Sequence, residues 1–367
     1  MSESITMRVD RSALSEILIG EGIASKPPMP EPFRRALVVV DEAVAGLHAA
    51  RVDAIASSCA VESRVLLLEA GEETKTVQRA QWLLEACDAF GLMRNDALIA
   101  VGGGTITDVT AFTAQMYLRG IPLVLMPTSL LAQVDAAIGG KNCLNLDSHK
   151  NRLGSFYHPR WVVCDTAFLT TLPLRHVLSG LAEVVKVHAV TGHRAMADQA
   201  TWDKTRPDCG VGTWPDLVAR SARAKVDLLA PDPFEESQQR LLNFGHTFAH
   251  ALEEMSAFEL AHGEAVMLSM LCEIWIGRLA GICSEGTFEA FRGVVDRIMP
   301  QTCREFRADG EQIREALLAT RQLRGGHDHL VVLQDTGRGG FLDDVPESLA
   351  VSAWEEMMAW HAREADR

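Results

Sequence analysis

Ala97-Leu98-Ile99-Ala100-Val101-Gly102-Gly103-Gly104-Thr105-Ile106-Thr107-Asp108 is an apolar run that stops on three glycines. The first five residues read as a buried strand, and the small-residue stretch from Val109 to Leu118 reads as a helix. Strand, glycine turn and helix in that order bring backbone N–H groups and a helix N-terminus against a phosphate. A glycine triplet is not the G-x-G-x-x-G fingerprint and carries little alone; its position between strand and helix carries more. Further strand signals surround it: Ala36–Asp41, Arg64–Glu69, Ile121–Pro127 running into Thr128 and Ser129, and Trp161–Asp165, with a helix expected through residues 76–91. Strands alternating with helices predict an open α/β sheet with a nucleotide lying across several strand ends. Asp41, at the end of its strand, is placed to meet a ribose hydroxyl; a solvated turn acid is an equal alternative.

Outside this core the patterning changes. Residues 1–35 are weakly patterned, with a proline-rich connector at Lys26–Pro32. Asp135 to Asn151 is rich in glycine, asparagine and lysine and shows little periodicity. It reads as an irregular loop, either a surface linker or an anion site in which Lys141, Lys150 and Asn151 grip a phosphate. From Leu172-Pro173 onward the pattern turns helical, with few strand signals before Leu330–Leu333, and residues 198–216 read as a loop or insertion. The expected organisation is a Rossmann-like α/β domain at residues 1–173 and a mainly α-helical domain at 174–367.

The helical half carries the metal-type residues. His246 and His250 are four apart, a spacing that on a helix puts them on one face; His262 follows sixteen residues after His246. Upstream, Glu183 and Lys186 lie one helical turn apart. Two histidines and a carboxylate hold catalytic zinc with a position left open, and Glu183, His246 and His262 read as that set.

The chain has 367 residues, 47% hydrophobic and 23% charged, enough for two cores. A formal net charge of −14 argues against nucleic acid as a partner, which calls for a basic surface. No apolar run reaches the roughly 18 residues needed to cross a bilayer. Met1-Ser2-Glu3-Ser4 lacks the regions of a signal peptide. The eight cysteines contain no C-x-x-C pair. The expectation is a reduced, cytoplasmic protein without membrane or nucleic-acid partners. Only seven of the 35 basic residues are lysines, and five of these (Lys75, Lys141, Lys150, Lys186 and Lys225) fall in the motif-like segments. Where arginine dominates, a retained lysine marks a need for a compact point charge; a solvated surface cation is the alternative at each.

The ordered segments Val101–Phe112, Tyr117–Gly120, Pro127–Asn142, His149–Pro159, Leu172–Lys186, Leu241–Glu253 and His262–Val266 resemble the dehydroquinate-synthase superfamily, the sugar phosphate cyclases. The resemblance spans roughly residues 36–270. It implies a dehydroquinate-synthase-like fold, a cleft holding NAD⁺, a zinc or cobalt ion and a sugar phosphate, and a homodimer. By position, Glu183, His246 and His262 match the metal ligands. Asp41, Glu72, Lys75, Gly103, Gly104, Asp108, Thr128, Ser129 and Asp135 match nucleotide-side residues. Asp135, Lys141, Lys150, Asn151, Lys186, Lys225, Asn243 and His250 match the substrate pocket, and Arg119 an arginine that reaches the neighbouring active site. The implied reaction oxidises a ring alcohol, eliminates phosphate, returns the hydride and closes a carbocycle by an aldol step, so NAD⁺ is regenerated within the turnover.

Two positions depart from dehydroquinate synthases. Gln239 stands where an arginine is usual, with Arg240 displaced by one, and Thr320-Arg321-Gln322 stands where an Asp-Lys-Lys run is usual. Both changes remove cations, which suits a neutral sugar phosphate such as sedoheptulose 7-phosphate and a valiolone-type product. The run His149–Ser155 points the same way. Asn243 and His250 instead match 3-dehydroquinate synthase, and aminodehydroquinate synthase stays open. A 2-deoxy-scyllo-inosose synthase acting on glucose 6-phosphate ranks third. Outside the cyclases stand a non-catalytic paralogue, which the two glutamines would mark, and a metal-dependent NAD alcohol dehydrogenase, which would not need Lys141.

Overall fold

The computed structural model describes residues 14–147, 149–191, 214–235, 240–323, 326–327, 329–335 and 338–365. Its first strands are β1 (Glu16–Gly20), β2 (Phe33–Asp41), β3 (Ala60–Leu68), β4 (Ala97–Gly102), β5 (Leu123–Pro127), β6 (Lys141–Leu146), β7 (His149–Phe156) and β8 (Trp161–Asp165). Six of them form one parallel sheet in the order β1-β8-β5-β4-β2-β3. Because the sheet is covered on both sides, its strands are near-continuous apolar runs. Leu37, Val39, Leu98 and Ala100 face helices Val77–Phe90 and Gly104–Met116. Val38, Val40, Ile99 and Val101 pack with Val52, Ile55 and Cys59 of helix Ala49–Cys59. Each such side chain, fully buried, contributes about 1.5–3 kcal/mol.

Strand order reverses between β2, which runs on to β3, and β4, which leads the other way. Val40 pairs with Val101 across this switch point, so Asp41 ends beside Gly102. Ligands of open α/β sheets bind in the crevice that forms there.

The helical half contains Leu174–Thr191, Trp214–Leu229, Ala249–Met255, His262–Leu279, Glu285–Ile298, Gly310–Leu323 and Glu347–Ala365, with an antiparallel pair, β9 (His329–Asp335) and β10 (Arg338–Asp343). His262–Leu279 is its centre, apolar on every side and packed on Leu174–Thr191, Glu285–Ile298 and Glu347–Ala365. Its start comes very close to Leu174–Thr191: a Cβ on Gly263 would lie 2.3 Å from the Ser179 carbonyl oxygen. Only glycine permits that approach, and it brings His262 within reach of Glu183, one turn beyond Ser179. A single buried cluster runs from the Leu37 face of the sheet to Trp360 in the last helix.

Four expectations are corrected. The helix after the glycines begins at Gly104, not Val109, and ends at Met116. Packing against the sheet overrides the weak propensity of its Gly-Thr-Ile-Thr start, and positive φ at Leu118 and Arg119 (50° and 66°) stops it. The segment 135–151 is not irregular throughout: β6 and β7 form an antiparallel hairpin. Polar residues at strand positions masked its alternation; Asn142 is buried yet satisfied by the Ser155 hydroxyl, which donates at 2.8 Å. The weakly patterned N-terminal stretch contains β1, which pairs in parallel with β8. The helix Trp214–Leu229 begins inside the expected 198–216 loop, the rest of which lies outside the described residues. No helix among the described residues is long and apolar enough to cross a membrane.

Candidate active site

Glu183, His246 and His262 come together as expected, with one ligand atom from each within 4.8 Å of the others. Glu183 is buried in the Leu174–Thr191 helix, and its Oε1 lies 3.4 Å from His262 Nε2 and 3.9 Å from His246 Nε2. Both histidines are held from behind. His246 Nδ1 donates to the Phe244 carbonyl at 3.1 Å, and His262 Nδ1 sits 2.8 Å from Glu253 Oε1. Each ring therefore turns Nε2 toward Glu183, the orientation outer partners impose on metal-ligating histidines. Both Glu183 oxygens are buried without a directed hydrogen bond. Lys186 offsets the carboxylate's charge from one side, and a divalent ion among these three donors would give both oxygens a partner. Burial above all, then the Lys186 charge, holds the His246 pKa well below its usual value, so the ring is a neutral donor. The expected shared helical face does not form, because His246 lies in the loop ahead of helix Ala249–Met255 and only His250 is on that helix. His250 still faces the same space, its ring centroid 6.4 Å from those of His246 and His262.

Next to the triad lies a charge network. Lys186 reaches Glu183 and, at 2.9 Å, Asp135 Oδ2. Lys225 reaches Asp135 Oδ1 and, at 2.7 Å, the Asp135 carbonyl. Asp135 sits in the helical turn Ala132–Ala136 that follows β5. Burial opposes its charge, but Lys186 and Lys225 hold its pKa well below the carboxylate range. Burial pushes the Lys225 pKa down and its Lys186 neighbour adds to that; Lys186, between two carboxylates, is pushed up despite burial.

The expected phosphate grip does not form as one group. Lys141 pairs with Glu235 at 2.5 Å, Lys150 with Glu253 at 2.7 Å, and Asn151 accepts from Lys75 at 2.7 Å. The hairpin is the reason, since alternating strand positions send neighbouring side chains to different faces. Asn151 thereby joins a cluster with Lys75, Asp108 and Glu72, apart from Lys141 and Lys150: Lys75 also pairs with Asp108 at 2.9 Å, and Asn145 donates to Glu72 at 2.9 Å. Burial opposes the Lys75 charge, but Asp108 raises its pKa overall.

At the crevice, Gly103 and Gly104 begin the Gly104–Met116 helix. A Cβ on Gly103 would meet nothing closer than Ser129 Oγ at 3.6 Å, and one on Gly104 nothing closer than Ala136 at 3.7 Å, which leaves room for a phosphate against the first N–H groups. Thr128 is buried and donates its backbone N–H to Gly102. Asp41 caps the next helix through the Ala43 N–H at 2.9 Å. Asn243 lies in the turn Leu241–Asn243 just ahead of His246. Arg119 is exposed and takes no hydrogen bond or ion pair with these groups among the described residues. Gln239 lies outside them.

Sequence reading missed Glu253 and Glu235. Glu253 is three residues after His250 on one helix, a spacing that could have flagged it. Glu235 collects Lys141 and, at 3.6 Å, Arg240, which nothing in the local sequence announces. A cavity of about 960 Å³ opens at the opposite, amino-terminal edge of the sheet around Arg34, Met93 and Trp161 and touches none of these groups.

An open parallel sheet joined to a helical half, with a two-histidine, one-carboxylate cluster set among lysines, defines an α/β protein of the dehydroquinate-synthase-like type. Residues 65–179 match the family model described as 3-dehydroquinate synthase N-terminal, and residues 180–321 that described as 3-dehydroquinate synthase C-terminal. The chain is 36% identical over 318 residues to the 3-dehydroquinate synthase of Symbiobacterium thermophilum, covering 83% of this chain and 85% of that protein. It is 38% identical over 266 residues to a putative aminodehydroquinate synthase of Amycolatopsis mediterranei, covering 72% and 69%. Its structure is similar to that of 2-epi-5-epi-valiolone synthase from Streptomyces hygroscopicus, solved with NAD⁺ and Zn²⁺ bound: TM-score 0.88, 26% identity, 97% and 99% of the chains covered. The chain belongs to the 3-dehydroquinate synthase family, within the sugar phosphate cyclases.

Proposed function

We propose that this protein cyclises a seven-carbon ketose 7-phosphate with loss of phosphate, and that sedoheptulose 7-phosphate is its substrate. In this reading Glu183, His246 and His262 hold a zinc or cobalt ion. NAD⁺ lies across the ends of β2, β4 and β5, its pyrophosphate at Gly103 and Gly104 and a ribose near Asp41. When bound, the ion polarises a substrate hydroxyl and NAD⁺ takes up and returns one hydride. Lys186 and Lys225 place positive charge where a substrate oxygen becomes negative. His250 has its pKa lowered, first by burial, so its ring is free to accept a proton at neutral pH. Lys141 and Lys150 offer cations to the phosphate. Arg119, exposed and held in left-handed backbone, is available to a second copy's active site.

The substrate choice rests on residues 320–322. Thr320 Oγ1 donates to the Thr247 carbonyl at 2.7 Å, Arg321 directs Nη2 to the Val345 carbonyl at 3.0 Å, and Gln322 is exposed. Beside His246 this run presents a threonine, not a cation, and a substrate carboxylate buried there would lack a partner. A second reading is 3-dehydroquinate or aminodehydroquinate synthase. Asn243 and His250 favour it, as do the names of the sequence relatives and Arg240, a cation beside Lys141.

The test is phosphate release by purified protein with NAD⁺ and Zn²⁺, offered sedoheptulose 7-phosphate and the carboxylated heptulosonate phosphate side by side, with His246→Ala as control. Release from the first alone supports the proposal. Release from the second alone replaces it with the second reading, and release from neither, with glucose 6-phosphate also inert, rejects both. His246→Ala should lose bound metal and turnover together.

A further inference from the structure

Glu273 sits in the middle of the His262–Leu279 helix, fully buried. Its Oε2 accepts the Gly245 N–H at 2.6 Å, and its Oε1 accepts the Thr247 N–H at 3.0 Å and the Ser269 hydroxyl at 3.3 Å. Ser269 Oγ in turn accepts the Phe248 N–H at 3.1 Å. The peptide groups on both sides of His246 are thus tied to one carboxylate. Gly245 holds this loop at φ 77°, and a Cβ there would come within 2.5 Å of Met270. The loop can neither relax its backbone nor accept a side chain at that point.

The Gly245 N–H and the Phe244 carbonyl belong to the same amide. One end donates to Glu273; the other accepts the His246 Nδ1 proton at 3.1 Å. Hydrogen bonds in series polarise one another, so a carboxylate at the N–H end makes the carbonyl a better acceptor. That fixes the proton on Nδ1, keeps the Nε2 lone pair toward Glu183 and makes the ring a stronger donor. His262 receives the same support directly, from Glu253. The two histidines are matched: one has a carboxylate at Nδ1, the other has a carboxylate one peptide bond further away.

We propose that Glu273 is a positioning residue for the metal centre, acting through the Phe244–Gly245 amide to set the tautomer, aim and donor strength of His246. The inference rests on the reading that His246 ligates a divalent ion. A carboxylate that only stiffened the loop would matter for stability and leave the ion's surroundings unchanged.

Chelator competition for Zn²⁺ and the visible spectrum of the Co²⁺ form separate these. Glu273→Gln keeps the side-chain volume, removes the charge and leaves one of the two N–H groups without its carboxylate acceptor. Loss of outer-shell partners typically costs about 10–100-fold in metal affinity, and that is the expected fall, together with a shifted Co²⁺ spectrum. Glu273→Asp, which keeps the charge, should recover part of both. A folded Glu273→Gln with wild-type Zn²⁺ affinity and an unchanged Co²⁺ spectrum overturns the proposal. Should Glu273→Gln not fold, Glu273→Asp decides: weakened Zn²⁺ binding and a shifted spectrum support it, wild-type values overturn it. Wild-type protein that binds no ion at His246 and His262 sinks the metal reading itself, a different and recognisable result.

Discussion

Glu253 stands between His262 and Lys150, with one carboxylate oxygen 2.8 Å from His262 Nδ1 and the other 2.7 Å from Lys150 Nζ. It therefore serves two sides of the site, steering a metal-type ligand and fixing a cation proposed for the substrate phosphate. Glu253→Gln keeps the shape and removes the charge. We expect Zn²⁺ affinity to fall about tenfold or more, read by chelator competition, with an unchanged circular dichroism spectrum. Wild-type affinity would remove Glu253 from the metal's support.

The same carboxylate governs an acid response of the metal-free protein. Burial works to raise its pKa, but the hydrogen bonds from His262 and Lys150 outweigh burial and bring it from 4.5 to about 2. A depressed carboxylate contributes stability that is present above its unfolded pKa and disappears as pH falls through its folded one. Metal-free protein should lose this contribution between about pH 4.5 and 2, and Glu253→Gln should flatten that part of the curve of urea midpoint against pH. Parallel curves for the two proteins would reject the assignment.

Lys141 and Arg240 both meet Glu235. Lys141→Ala should raise the KM for the sugar phosphate about tenfold or more, as expected for loss of a charge-assisted hydrogen bond. Glu235→Gln should lower it, because the phosphate no longer competes with an internal anion. A raised KM in Glu235→Gln would make the carboxylate a substrate ligand instead.

Gly103 lies where the helix N-terminus opens into the crevice. Gly103→Val places methyl groups in the space argued for a pyrophosphate. NAD⁺ affinity should fall at least about tenfold by calorimetry, while zinc stoichiometry stays at the wild-type value. Unchanged NAD⁺ binding would move the nucleotide elsewhere.

How much of this was legible in advance depended on chemistry more than on length. The central strands declared themselves because burial on both faces makes Leu37–Val40 and Leu98–Val101 unbroken apolar runs. β1 did not, being five residues at the sheet's edge next to a glycine. The β6–β7 hairpin was hidden because lysine, asparagine and histidine interrupt its apolar alternation, and their roles come from partners distant in sequence. His246 and His262 were legible because both fall in the short motif-like segments Leu241–Glu253 and His262–Val266, and Glu183 because it stands one turn before Lys186 in the Leu172–Lys186 segment. Glu235, Glu253 and Glu273 were not, since nothing separates them from the other members of a set of 49 acidic residues until folding brings them to Lys141, His262 and the His246 loop.

Lys150 and Asn151 are joined by one peptide bond, yet Lys150 is bound to Glu253 behind His262, and Asn151, with φ 54°, to Lys75 beside Asp108. The hairpin therefore links the proposed dinucleotide crevice to the proposed ion site. Thermodynamic linkage makes any influence across it reciprocal: if a filled crevice tightens ion binding by some factor, a bound ion tightens the dinucleotide by the same factor. With such a coupling, the two cofactors would not be loaded independently, and each would be retained better in the presence of the other.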